Sequence, residues 1–312
     1  MSLHFNPILD AIGNTPLVEL KKIAPPGGAR IVAKLESANP TGSMKDRMGR
    51  AVIEGAAKKG LIRPGDTVVE YTAGTTGISL AFACAALGYR FHAVFSDAFS
   101  NEKRITMKAF GAAVTDVPSD NKKITESLIK EMIETSRGLS SRENHWWADQ
   151  LNNKDAETGY YALGDEIWEQ TGGKVDAFVH AVSTAHSIHG VTKALWRHNS
   201  RIPVFGVEPA ESAVLSGQPS GSHKIEGIGI GFIPPLWQPD LVNEILTVTT
   251  DEAMTMARRL AKEEGIFAGT STGANIVAAC KVAQRLGPGN TVATLIVDSG
   301  LRYVSTALYQ QG

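Results

Sequence analysis

The sequence predicts an α/β fold with mostly parallel sheets, divided between about two domains. Short apolar, β-branched segments alternate with amphipathic helical segments along the whole chain. This alternation is typical of parallel strands joined by crossover helices. The length of 312 residues exceeds what one small core accommodates and suits about two domains.

The composition is that of an ordinary globular protein, with 43% hydrophobic residues, 20% charged residues and a net charge of −1. The absence of basic clusters argues against a nucleic-acid partner. The sequence contains no run of 18 apolar residues, so no transmembrane helix is predicted. Residues 1–6 lack the charged-then-apolar pattern of a signal peptide. We therefore expect a cytoplasmic α/β protein of the size of an enzyme, with no nucleic-acid partner, no membrane partner and no metal site.

The N-terminal half contains the first series of alternating elements. We predict a short helix, a turn and a strand within residues 6–20, then strands at 30–36, 67–71, 91–95 and 113–117. Between the strands, helices are predicted at 44–59, 78–87, 101–110 and 124–136. Residues 137–154 are polar and irregular, and we place the crossing between the domains there.

The C-terminal half repeats the pattern. Strands are predicted at 177–182, 204–207 and 291–297, with helices at 158–170, from 188 to 196, 251–264 and 274–285. Residues 216–240 are rich in Gly and Pro and resemble a long functional loop.

The segment of residues 39–47 carries an unusual lysine. Pro40 and Gly42 are turn residues, Ser43 is a good N-cap, and Lys45 then falls in the first helical turn. The positive end of a helix disfavours a cation there by about 0.3–1 kcal/mol and lowers the lysine pKa. A neutral amine is what Schiff-base chemistry requires. A lysine that points into solvent is the simpler interpretation of this segment alone, and the rest of the chain reverses that preference.

Three further segments that lead into helices carry hydroxyls and small residues: 72–77, 183–187 and 269–273. Ligands of parallel sheets bind beyond the carboxyl ends of the strands, where helix N-termini attract anions. One phosphate and one carboxylate would use two of these sites. Neither a Walker motif nor a Gly-x-Gly-x-x-Gly motif occurs, so a nicotinamide cofactor is a poor fit.

Five segments along the chain carry distinctive motifs: residues 12–17, 39–47, 227–234, 264–273 and 298–303. In sequence and in order they resemble the cysteine synthase and cystathionine β-synthase family of fold-type-II pyridoxal phosphate enzymes. The resemblance implies two three-layer αβα domains of the tryptophan synthase β type. The smaller, mobile domain would comprise residues 42–145 and bind the substrate carboxylate. The larger cofactor-binding domain would comprise residues 1–41 and 146–312, and the chain would form a homodimer.

The resemblance also assigns roles to individual residues. Lys45 matches the lysine that holds pyridoxal 5'-phosphate as an internal aldimine and serves as the base on Cα. Cofactor-binding roles fall to Lys45, Thr75, Ser183, Thr184, Ala185, His186, Ser187 and Ser271. Ser271 would face the pyridine nitrogen, and residues 183–187 would hold the phosphate. Substrate-binding roles fall to Thr72, Ala73, Gly74, Thr76, Gln150 and Gly227.

Two loops depart from the family pattern. Thr75 replaces an asparagine that would reach the cofactor's 3'-oxygen, and Ala73 replaces a serine. The phosphate cradle, usually Gly-Thr-Gly-Gly-Thr, has lost three glycines at 183–187. A Cβ in left-handed geometry costs about 1–2 kcal/mol, so we expect this loop either to keep right-handed geometry or to have moved.

Three further polar residues, in or near these segments of the sequence, require an interpretation. His186 would either donate to a phosphate or lie at the surface. Glu226, where relatives often carry glutamine, could select an amine-bearing substrate, but a solvated loop acid is the preferred interpretation. His180 is interpreted as structural.

The favoured function is β-replacement on an activated L-serine, O-acetylserine or O-phosphoserine, through an aminoacrylate. The altered loops suggest a non-standard nucleophile. One alternative is β-elimination, as in a cysteine desulfhydrase or serine/threonine dehydratase, which consumes no second nucleophile. Another is an inactive family member that serves as a binding or regulatory partner and would be colourless.

Overall fold

The computed structural model describes residues 7–310, so residues 1–6 and 311–312 lie outside it, including the N-terminal segment assessed for a signal peptide. Within 7–310, the strands form two sheets. The larger sheet has six strands in the order β1-β2-β10-β7-β8-β9, and only β1 is antiparallel to its neighbour. Its strands are β1 Leu17–Leu20, β2 Arg30–Leu35, β7 Ala177–Ala181, β8 Val204–Pro209, β9 Glu244–Val248 and β10 Thr291–Ile296.

The smaller sheet has four parallel strands in the order β5-β4-β3-β6. These are β3 Thr67–Tyr71, β4 Arg90–Ser96, β5 Ala113–Val117 and β6 His145–Trp147. The central strands β3, β7 and β10 are buried along their whole length, as expected for parallel strands covered on both faces.

Helices cover both sheets. They are α1 Lys45–Lys58, α2 Thr75–Leu87, α3 Asn101–Ala109, α4 Glu126–Ser140, α5 Asp155–Thr158, α6 Tyr161–Gln170, α7 His186–His198, α8 Thr250–Arg259 and α9 Thr270–Leu286. On the smaller sheet, α2 and α4 pack against β3 and β4, and α1 packs against α2. On the larger sheet, α7 and α9 pack against β7, with α8 against α9. This two-domain α/β architecture confirms the predicted fold class.

The structure corrects several predicted elements. Strand β6 lies within the segment predicted to be irregular, because three half-buried residues give no alternation signal. Strand β9 follows the long loop and was not predicted. The predicted domain limits of 42–145, 1–41 and 146–312 stay a prediction, and β6 lies across the limit at 145. None of the helices in residues 7–310 is long and apolar enough to cross a membrane.

Candidate active site

The first turns of four helices line one cavity, here called the inner cavity. Lys45 is the first residue of α1 and Thr75 the first of α2, while Ser187 and Ser271 are the second residues of α7 and α9. All four helix starts present the positive end of a helix dipole, and those of α2, α7 and α9 also offer N–H groups that have no intrahelical partner. The inner cavity is therefore suited to a ligand with more than one anionic group.

Lys45 lies in the wall of the inner cavity rather than pointing into solvent. Burial lowers its pKa from 10.5 to about 8, and the nearby Asp298 carboxylate opposes that change. Its Nζ lies 5.9 Å from the centre of the Tyr160 ring. The helix begins at Lys45, one residue later than predicted, and Ser43 Oγ accepts a hydrogen bond from the Lys45 N–H. An appreciable fraction of Lys45 is thus a neutral amine near pH 7.5.

The two residues after Lys45 anchor the start of α1. Asp46 accepts hydrogen bonds from the N–H and the hydroxyl of Thr41 and from the Ser79 hydroxyl. The Arg47 guanidinium bridges Glu36 and Glu166, each at 2.7 Å. Because Asp46 and Arg47 are almost fully buried, these contacts hold the Lys45 backbone in a fixed position.

The predicted carboxylate-binding loop, residues 72–77, turns from β3 into α2. Thr72 Oγ1 accepts hydrogen bonds from the N–H groups of Gly74 and Gly77, so this side chain shapes the loop and does not line the cavity. The Thr75 and Thr76 N–H groups lie in the first turn of α2 and have no intrahelical carbonyl partner. Ala73 is half-buried and does not line the cavity either.

Gln150 fixes this loop from the side. Its Oε1 accepts a hydrogen bond from the Thr76 hydroxyl at 3.1 Å, and its Nε2 donates to the Tyr71 carbonyl at 2.8 Å. Gln150 is buried but does not line the inner cavity. Its hydrogen bonds in this structure are with the loop and with the end of β3.

The predicted phosphate cradle keeps a left-handed turn although its glycines are lost. Ala185 has φ +72° and precedes α7, so the alternative in which this loop keeps right-handed geometry is wrong. The Cβ makes this conformation cost about 1 kcal/mol. Ser183 and Ser187 line the inner cavity, and the Thr184 hydroxyl lies 3.1 Å from His186 Nδ1.

His186 is buried, so the interpretation of a surface histidine is wrong. Its Nε2 has no hydrogen-bond partner among the described residues. Burial, together with the Lys45 charge, lowers the His186 pKa to about 4 and keeps the ring neutral. Nε2 of the neutral ring therefore keeps the capacity for one further hydrogen bond.

Two residues of the site were not identified from the sequence. His180, at the end of β7, lines the cavity, and its Nε2 lies 2.9 Å from Ser187 Oγ. Asp298, also in the wall, accepts a hydrogen bond from the Tyr303 hydroxyl at 2.7 Å, and Thr75 Oγ1 lies 3.5 Å from it. His180 follows the usual placement of ligand groups at strand ends, which is the signal that could have found it.

The remaining wall comes from the segment before β9. Gly227, with φ +90°, and Glu226 line the inner cavity together with Ser271. Glu226 is not a solvated loop acid, because its carboxylate lies 2.6 Å from Lys103 Nζ and is mostly buried. The Glu226 N–H donates to Thr270 Oγ1 at 3.0 Å, which joins this loop to the start of α9.

The residues around the inner cavity fit pyridoxal phosphate. Lys45 supplies an amine of lowered pKa for the aldehyde carbon. Ser183 and Ser187, beside the start of α7, line the cavity and suit a phosphate, whereas Ala185 and His186 do not line it. Ser271 is buried in the wall and offers a neutral hydroxyl for the pyridine nitrogen.

The chain resembles characterised proteins over nearly its full length. Residues 8–298 match the family described as "Pyridoxal-phosphate dependent enzyme". A cysteine synthase of Staphylococcus aureus is 41% identical over 304 residues, which cover 97% of this chain and 96% of that protein. The crystal structure of O-acetyl serine sulfhydrylase isoform 3 from Entamoeba histolytica aligns with a TM-score of 0.91 at 39% identity, covering 100% and 93% of the two chains. The crystal structure of the O-acetylserine dependent cystathionine β-synthase from Helicobacter pylori aligns with a TM-score of 0.91 at 35% identity. That alignment covers 99% of this chain and 100% of the other.

Proposed function

Because the chain belongs to the cysteine synthase family of pyridoxal-phosphate dependent enzymes, we propose that it replaces the acetate of O-acetyl-L-serine with a nucleophile. The observation that carries the proposal is Lys45, a lysine of lowered pKa at the meeting point of four helix starts. The curated and structural relatives named for cysteine or O-acetylserine chemistry support the choice of substrate. O-phosphoserine stays a second candidate for the activated serine.

In this proposal, different groups of the site have different roles in the reaction. Bound pyridoxal phosphate would withdraw electrons from the substrate Cα, with Ser271 as the partner of its pyridine nitrogen. Lys45 would accept the Cα proton as a neutral amine, which its lowered pKa favours. The Thr75 and Thr76 N–H groups would bind the substrate carboxylate at the start of α2.

The other residues in and around the inner cavity are also assigned roles. We propose that Ser183, Thr184, Ala185, His186 and Ser187 hold the phosphate, and that Thr72, Ala73, Gly74, Gln150 and Gly227 shape or border the substrate site. A homodimer in the cytoplasm, with domains of 42–145 and of 1–41 plus 146–312, completes the proposal. Light scattering of the purified protein would test the dimer.

The central experiment locates the cofactor and follows the substrate. The protein is incubated with pyridoxal phosphate, its visible absorbance is recorded, and borohydride reduction followed by peptide mass spectrometry identifies the modified lysine. O-acetylserine and sulfide are then added, and cysteine and acetate are quantified. Modification of Lys45 and equal yields of cysteine and acetate are expected, whereas Lys45→Ala gives neither.

Two results contradict the proposal. No visible absorbance of the protein after incubation with pyridoxal phosphate and removal of the unbound cofactor points to a protein without a working cofactor site. Pyruvate in place of cysteine, at equal acetate release, points to β-elimination. O-phosphoserine run in parallel decides between the two activated serines.

A further inference from the structure

Three buried polar side chains form a chain of hydrogen bonds that ends at the inner cavity. Asn275 of α9 contacts His180 near the end of β7, and His180 contacts Ser187 in the first turn of α7. His180 and Ser187 line the inner cavity, whereas Asn275 is fully buried behind them. The proposed function gives no role to His180 or to Asn275.

The backbone sets the orientation of the Asn275 amide. Its Oδ1 accepts the Ala181 N–H at 2.8 Å, and its Nδ2 donates to the Leu295 carbonyl at 3.0 Å. Reversing the amide would set a donor against the Ala181 N–H and an acceptor against the Leu295 carbonyl, in a site without access to solvent. Nδ2 therefore also presents its second hydrogen to His180 Nδ1, which lies 3.3 Å away.

This contact fixes which nitrogen of His180 carries the hydrogen. Burial and the Lys45 charge lower the His180 pKa to about 3, so the ring is neutral and has one N–H. Since Nδ1 accepts from Asn275, the hydrogen is on Nε2, which lies 2.9 Å from Ser187 Oγ. His180 is therefore the donor to Ser187, and the Ser187 hydroxyl cannot donate back to it.

The hydrogen of the Ser187 hydroxyl is consequently free for a ligand. Among residues 7–310, Ser187 Oγ has no protein partner other than His180. Ser187 is the second residue of α7, so its backbone N–H has no intrahelical carbonyl partner either. A hydroxyl and an N–H donor at one helix start suit a phosphate oxygen.

We propose that His180 is a positioning residue that directs the Ser187 hydroxyl toward the phosphate of the cofactor. The inference rests on the proposed function, which places pyridoxal phosphate in the inner cavity. His180 contributes direction and no charge, because its ring stays neutral. Asn275 acts one step further back, because it holds the tautomer of His180.

The test separates recognition of the phosphate from the rest of cofactor binding. Dissociation constants of pyridoxal and of pyridoxal phosphate are measured by fluorescence titration. Both carry the same aldehyde, so its reaction with Lys45 cancels in the ratio of pyridoxal to pyridoxal phosphate, and a general loosening of the site weakens both alike. This ratio is compared among the wild type, His180→Leu, Ser187→Ala, their double variant and the control His92→Leu. His92 is half-buried on β4 and does not line the inner cavity.

The expected ratios distinguish a residue that acts through Ser187 from one that acts directly. Ser187→Ala should lower the ratio about tenfold, because it removes a hydrogen bond to a charged group. His180→Leu should lower it about fivefold, with no further effect in the Ser187→Ala background. His180→Gln should keep most of the wild-type ratio, because its amide nitrogen can donate in place of Nε2. His92→Leu should leave the ratio unchanged.

A second readout needs no cofactor. In protein with isotopically labelled histidines, long-range proton–nitrogen correlation spectra near neutral pH report which ring nitrogen carries the hydrogen. The signals of His180 are identified by their loss in His180→Leu. We expect the hydrogen on Nε2. A hydrogen on Nδ1, or on both nitrogens, would overturn the inference, because Nδ1 could then not accept from Asn275.

The outcomes separate the inference from the proposed function. If pyridoxal phosphate binds but the ratio is the same in the wild type and His180→Leu, the inference is wrong and the proposed function stands. If the effects of His180→Leu and Ser187→Ala multiply in the double variant, His180 acts on the phosphate directly, which also overturns the inference. If neither ligand binds to the wild type, the proposed function fails and the inference fails with it, whatever the tautomer of His180.

Discussion

Replacing Lys45 with methionine is expected to stabilise the cofactor-free protein. Burial lowers the Lys45 pKa from 10.5 to about 8. This difference of about 2.5 pH units corresponds to about 3 kcal/mol at about 1.36 kcal/mol per unit. Because the residue is only half-buried, solvent screening reduces the expected gain to about 2 kcal/mol. Methionine keeps the length of the side chain and removes the charge.

The pH dependence gives the prediction its direction. The folded-state pKa lies below the unfolded-state value, so the unfolded chain binds more protons between pH 8 and 10.5. The free energy of unfolding of the wild type therefore rises with pH over that interval. The advantage of Lys45→Met is complete below pH 8 and disappears towards pH 10.5.

Urea denaturation of both proteins at pH 7, 8, 9 and 10 measures the difference. Lys58→Met is the matched control, because Lys58 is an exposed residue at the other end of the same helix. It should change stability little at any of these pH values. A Lys45→Met protein that is no more stable at pH 7, or equally more stable at pH 7 and 10, would refute the reasoning.

Three other perturbations follow from the site. Ala185→Gly is expected to raise the free energy of unfolding by about 1 kcal/mol in urea, because it relieves the left-handed alanine; a loss of stability would contradict that geometry. Glu226→Gln leaves Lys103 buried without its partner and should cost about 3 kcal/mol, and adding Lys103→Met should recover part of the loss. Equal stability of the single and double variants would argue against the pair. The pKa of His186 near 4 predicts that its ring signals in NMR stay in the neutral form down to about pH 5, and titration near pH 6.5 would show that it is exposed.

Local signals in the sequence identified the alternating elements and the segments around the site. The alternation predicted most strands of both sheets, including β3, β7 and β10. Small residues and hydroxyls located the starts of α2, α7 and α9. These signals are local because turn residues, caps and apolar periodicity act over a few positions. Strand β6 was missed because three half-buried residues carry too little of that pattern.

The roles of individual polar side chains could not be predicted in the same way. The sequence was compatible with His186 either donating a hydrogen bond to a phosphate or lying at the surface. Its burial became clear only in the structure. Glu226 was interpreted as a solvated acid because Lys103, its partner, lies 123 positions away in the sequence. The pairing of His180 with Ser187 likewise depends on how β7 leads into α7.

The sequence by itself determined the fold class, the family resemblance and Lys45 as the candidate catalytic lysine, because each is encoded in short contiguous patterns. Only the tertiary structure decided that four helix starts share one cavity, that Ala185 keeps a left-handed turn and that Glu226 pairs with Lys103. These features come from packing between distant segments. Burial, pKa and ion pairing depend on that packing, because they are set by the neighbours in space rather than in the chain.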